Sequence, residues 1–91
     1  MIITAEISLY PLANDYEAPI IQFIKTLKAH EGLEVMTHSM STYVKGESRN
    51  VFAGVDTALT GLGDQTCSMV IKVINRNLPC LLYTSPSPRD S

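Results

Sequence analysis

Apolar and polar residues alternate with period two from the start of the chain. Ile3, Ala5, Ile7 and Leu9 fall on one face, and Thr4, Glu6, Ser8 and Tyr10 on the other. That period predicts a half-buried β-strand, and Pro11 predicts its end. The pattern then changes. Ala13-Asn14-Asp15-Tyr16 is turn chemistry, with Asp15 placed to cap a helix and Pro19 suited to that helix's first turn. Ile20, Phe23, Ile24 and Leu27 recur at helical spacing; Lys25, Lys28 and His30 favour the C-terminal end, and Gly32 follows it.

Leu33, Val35 and Thr37 begin a second strand, and Thr42-Tyr43-Val44 makes a third. Ser39-Met40-Ser41 reads as the link between them, without the Asn-Gly signal of a tight hairpin. Gly46 is expected to break the third strand. Ser48 is expected to cap a second helix that carries Val51, Phe52, Val55, Leu59 and Leu62 on one stripe and closes at Gly61 and Gly63. Cys67, Met69, Ile71 and Val73, alternating with Ser68 and Lys72, form a fourth strand. The order β-α-β-β-α-β predicts an α+β fold: a ferredoxin-like βαββαβ sandwich, with two helices on one face of a four-stranded antiparallel sheet. The other sheet face is expected to stay open.

The domain spans residues 1–78. Residues 79–91 have a different character and contain a Ser/Pro run, Ser85-Pro86-Ser87-Pro88. Composition predicts a disordered tail, and the string resembles a translated cloning adaptor, so no function is read from it. With 91 residues there is one domain. So short a chain buries only about 60–65 % of its unfolded surface, which favours association with copies of itself.

Seven basic and nine acidic residues give a net charge of −2. That argues against nucleic acid, which requires a basic patch. No stretch reaches the roughly 18 apolar residues of a membrane span, and no targeting segment precedes the first strand, so no membrane partner is expected. Cys67 and Cys80 form neither a metal spacing nor a disulfide framework, and a cytoplasmic location is the expectation.

The fold alone does not give function. Tyr10-Pro11-Leu12-Ala13 lacks the Cys-x-x-Cys of a metal chaperone. Tyr10 and Tyr43 are too few for an RNA-stacking platform. The only arginines are Arg49, Arg76 and Arg89, and none lies in the sequence near the first strand, where a phosphate cradle would need one. Met36, His38 and Met40 could offer soft ligands to Cu(I), but two methionines filling gaps around a histidine is the plainer role, and no metal is expected. His38, Ser39, Ser41 and Asp56 lack the nucleophile elbow of a hydrolase, and the chain is expected not to be an enzyme. Asp15 and Glu47 read first as helix-entrance carboxylates and second as partners for a cationic ligand. Tyr10 is evenly poised between packing and a ligand-facing ring.

Two stretches narrow the field: Ser8-Leu9-Tyr10-Pro11-Leu12 with Asn14-Asp15-Tyr16, and His38-Ser39-Met40-Ser41-Thr42-Tyr43-Val44-Lys45-Gly46-Glu47 followed by Val51-Phe52. Together they resemble the YkoF-like thiamine-binding protein family, with similarity from Ile2 to Ile74. The resemblance implies non-enzymatic binding of thiamine or its hydroxymethylpyrimidine precursor, in salvage or delivery. It also implies a homodimer or homotetramer paired sheet to sheet. No cofactor is implied beyond that bound ligand. The ligand role is carried onto Ser8, Tyr10, Ser41 and Thr42, which occupy the shared motifs, and more weakly onto Thr37 and His38. Hydroxyls that both donate and accept suit an aminopyrimidine, and a tyrosine ring suits its flat face. Two other roles stand beside this one: a small-molecule-sensing regulatory domain, and a structural oligomerisation domain without ligand.

Overall fold

The computed structural model describes residues 1–12, 15, 17–38 and 41–76. The expected turns at Ala13-Asn14-Tyr16 and Ser39-Met40, and the expected tail over 79–91, lie outside the described residues. Six elements follow in order: β1 (Ile2–Pro11), α1 (Glu17–Ala29), β2 (Glu34–His38), β3 (Ser41–Glu47), α2 (Ser48–Thr60) and β4 (Cys67–Ile74). The strands form one antiparallel sheet in the order β2-β3-β1-β4. This is the ferredoxin-like arrangement the alternation predicts, with both helices on one face.

Alternation along β1 decides which face is covered. Ile3, Ala5 and Ile7 are each at most 2 % exposed. They meet Phe23 and Leu27 of α1, and Val51, Val55 and Ala58 of α2, in one core. Burying a side chain such as Phe23 or Leu27 contributes about 1.5–3 kcal/mol. On β4, Cys67, Met69 and Ile71 pack against this core but stay half-buried, so the helices cover the β4 edge less fully than the centre.

Three local expectations are corrected. Gly46 does not break β3; it lies within the strand, paired with Ile3. A Cβ there would sit 2.6 Å from the Gly32 carbonyl oxygen, so this position needs a glycine for close approach. Gly32 itself has φ +82°, the left-handed conformation that turns the chain from α1 into β2. Ser48 is not the cap of α2. Glu47 is, without a side-chain capping bond, and the Ser48 N–H donates to the Met1 carbonyl instead. The buried stripe of α2 is Val51, Gly54, Val55 and Ala58, continued by Leu62 beyond the helix. Phe52 and Leu59 point outward, because a turn of 3.6 residues carries them off the face that starts at Val51. At α1, the Ala18 N–H reaches Asp15 Oδ1 at 3.5 Å, a long version of the expected cap.

Candidate functional site

Among the described residues no helix covers the second face of the sheet, a grid whose rows follow from the strand registers. One row runs Glu34, Lys45, Thr4, Ile74. The next runs Met36, Tyr43, Glu6, Lys72. In the third, His38 pairs with Ser41, and Ser8 pairs with Val70. The Ser8 and Ser41 hydroxyls complete that row across β1 and β3, 3.4 Å apart. Tyr10, 49 % exposed and paired with Ser68, stands at the rim.

The structure therefore gathers Ser8, Tyr10, His38 and Ser41 on one face. Thr37 and Thr42 do not join them. They pair with each other, and Thr42 also pairs with Ile7, which puts both on the helix-covered side. Thr42 is 7 % exposed, whereas Thr37 is exposed at the end of β2. Neither threonine lies on the face that carries Ser8, Tyr10, His38 and Ser41.

Sequence reasoning left out the residue at the centre of the grid. Glu6 lies between Tyr43 and Lys72 in its row. Ser41 Oγ donates to Glu6 Oε2 at 3.2 Å. Ser41 has one hydroxyl proton, so with that proton on Glu6 the neighbouring Ser8 is the donor in the 3.4 Å contact. Lys72 Nζ is 3.7 Å from Glu6 Oε1, but the lysine side chain is 71 % exposed and the pair is a weak surface one. Burial, and secondly the charge of Glu6, push the Tyr43 phenol above its ordinary value. The missed signal was a charged residue in mid-strand, where Glu is depleted, flanked by Thr4 and Ser8 on the same face.

At one edge the face is closed. Thr4 is fully buried, and its hydroxyl donates to the Arg76 carbonyl at 2.8 Å, two residues past the end of β4. A shallow recess of about 380 Å³ lined by Ile2, Gly32, Leu33, Glu34, Lys45 and Gly46 lies at the Glu34–Lys45 end of the grid, away from Ser8 and Tyr10. Among the described residues there is no cluster of three or more His, Cys, Asp or Glu side chains able to hold a metal ion. No helix among them is long and apolar enough to cross a membrane.

This is a ferredoxin-like domain whose second sheet face carries no helix among the described residues. The YkoF-related family matches residues 2–74, and the chain belongs to that family. Among curated proteins, none matches. Solved structures share the fold at low identity. A hypothetical protein from Methanocaldococcus jannascii is 21 % identical with a TM-score of 0.74, covering 84 % of this chain and 81 % of its own. A Streptococcus pneumoniae protein is 20 % identical with a TM-score of 0.73, covering 92 % and 93 %. A candidate thiamine biosynthesis/salvage protein from Thermotoga maritima is 18 % identical with a TM-score of 0.64, covering 78 % and 82 %.

Proposed function

We propose that this domain binds thiamine or its hydroxymethylpyrimidine precursor on the open sheet face, without transforming it, in salvage or delivery within the cytoplasm. The observation that carries the reading is the shared face of Ser8, Tyr10, His38 and Ser41, with the two serine hydroxyls 3.4 Å apart. Hydroxyls there can donate to and accept from a heteroaromatic ring, and the Tyr10 ring at the rim can cap its flat face. Membership of the YkoF-related family, and the salvage role suggested for the Thermotoga protein, support the same ligand class.

The face is a platform rather than a cleft. Small-molecule sites are concave as a rule, so a second wall is needed. A second copy of the chain laid sheet to sheet supplies it, as a homodimer or a dimer of dimers. Thr37 and Thr42 take no part in this site.

Calorimetric titration with thiamine and with hydroxymethylpyrimidine tests the reading. Ligand at about 100 times Kd stabilises the fold by roughly 2.7 kcal/mol, which a thermal melt detects. The absence of both heat and a melting shift at millimolar ligand would overturn it and leave an oligomerisation role for the face.

A further inference from the structure

We propose that Glu6 and Ser41 act as one specificity element, reading the amidine edge of a 4-aminopyrimidine. Glu6 accepts from the exocyclic amino group, and Ser41 donates to the adjacent ring nitrogen. The inference rests on the pyrimidine-binding reading above and names the groups that would select the ring.

The argument starts from the pattern of donors and acceptors. A 4-aminopyrimidine edge presents an N–H donor beside a ring-nitrogen acceptor. The sheet face presents the complement: a carboxylate, which only accepts, beside a hydroxyl 3.2 Å away that already points its proton toward it. Swinging that one proton from Glu6 to the ring nitrogen leaves a carboxylate oxygen free for the amino group. No added proton or charge is required. Ser8, donating to Ser41, fixes the hydroxyl that must turn.

Glu6 is suited to the role by its surroundings. Its side chain is 26 % exposed, so a bond to it is less diluted by water than one at the rim. Its one cationic neighbour among the described residues, Lys72, lies at 3.7 Å on a largely exposed stem and can be displaced. Tyr43 and Met36 lie in the same row and offer half-buried ring and thioether surface beside it. A carboxylate serving only solubility would not need a serine hydroxyl donated to it from the next strand.

The 4-oxo analogue, oxythiamine, reverses the edge: its carbonyl accepts and its ring N–H donates. Glu6 would then face an oxygen, and Ser41 a donor. Discrimination built this way comes from repulsion as much as attraction. Binding of thiamine and oxythiamine to the wild-type chain and to Glu6→Gln is measured by calorimetry, with thermal melts to show that the variant is folded. The expected result is a Kd for thiamine at least about tenfold below that for oxythiamine in the wild type. In Glu6→Gln the ratio should fall to about threefold or less, because an amide can present either a donor or an acceptor. Thiamine binding without preference in the wild type overturns the inference and leaves the thiamine reading standing. So does a preference that survives in a folded Glu6→Gln. If Glu6→Gln does not fold, the wild-type ratio alone decides. Absence of thiamine binding by the wild type overturns the functional reading itself, and this inference with it.

Discussion

Thr42 stands opposite Ile7 in the β1–β3 register, and both side chains enter the helix-covered core. Its neighbour Ser41 points the other way and donates to Glu6. One step along β3 thus separates a core position from one on the opposite face. Replacing Thr42 with Val keeps the branched shape and removes a hydroxyl for which no hydrogen bond is found among the described residues. The variant should be equal to or more stable than the wild type by up to about 1 kcal/mol, a rise of up to roughly 4–8 °C in Tm. Its affinity for thiamine should be unchanged. Thermal melts and titration check both, and a loss of affinity would move the site to the helix side.

Tyr10 offers the opposite test. Its ring is half exposed at the end of β1, so Tyr10→Ala removes little packing and should cost the fold less than about 1 kcal/mol. Loss of a stacking aromatic should weaken ligand binding by about fivefold or more. Equal losses in stability and affinity would make the ring a packing element instead.

Gly46 tests the close approach of β3 to the turn before β2. Ala there would place its Cβ 2.6 Å from the Gly32 carbonyl oxygen, and backbone cannot yield as a side-chain tip can. Gly46→Ala should destabilise by about 1–3 kcal/mol, read as a lowered Tm. A melting temperature within a degree of the wild type would show that the strand shifts freely.

What the sequence made legible follows from which signals are local. Strand alternation at Ile3 to Tyr10 and at Cys67 to Val73 is set by the pleat, so the strands and their faces could be read directly. The helical stripe at Val51 was assigned too broadly because Phe52 and Leu59 are apolar without being buried. Gly46 misled because a glycine in a strand reads as a break, and the Gly32 carbonyl it accommodates is remote in sequence. The site was half legible for a related reason. Ser41 and Thr42 belong to one motif, yet neighbours in a strand face opposite sides. Glu6 was hidden because its role depends on Ser41 and Tyr43 across a register that only folding sets.

The phenol of Tyr43 reports on Glu6 without any ligand. Burial, then the Glu6 charge, disfavour the phenolate, so the folded-state pKa lies above the ordinary 10.0. The unfolded chain therefore gives up this proton first as pH rises. Between the two pKa values it binds fewer protons than the native state, so stability falls with pH above about 10 and the group contributes no slope below that. In Glu6→Gln the charge is gone and the burial remains. The Tyr43 titration should move part of the way back down, and the alkaline loss of stability from this group should shrink. Phenolate absorbance followed against pH, with Tyr43→Phe to identify the signal among four tyrosines, measures the shift. An unmoved titration in Glu6→Gln would mean that burial alone sets it.

Val70 tests whether the open face meets a second copy of the chain. It is 58 % exposed and paired with Ser8, so it lies beside the hydroxyls rather than in the core. Single exposed valines are common, but this one stands on the edge strand β4 beside Ser8, where a second sheet laid on the face would cover it. Val70→Glu should leave the monomer fold within about 0.5 kcal/mol, since surface substitutions usually do. In a sheet-to-sheet dimer the same change buries a new carboxylate of each copy on the face that already carries Glu6. The expected outcome in sedimentation is a shift from dimer or tetramer toward monomer, larger at low salt because screening is weaker there. Thiamine affinity should fall with it, since the platform loses its second wall. An oligomer that survives Val70→Glu unchanged would place the interface on another surface of the domain.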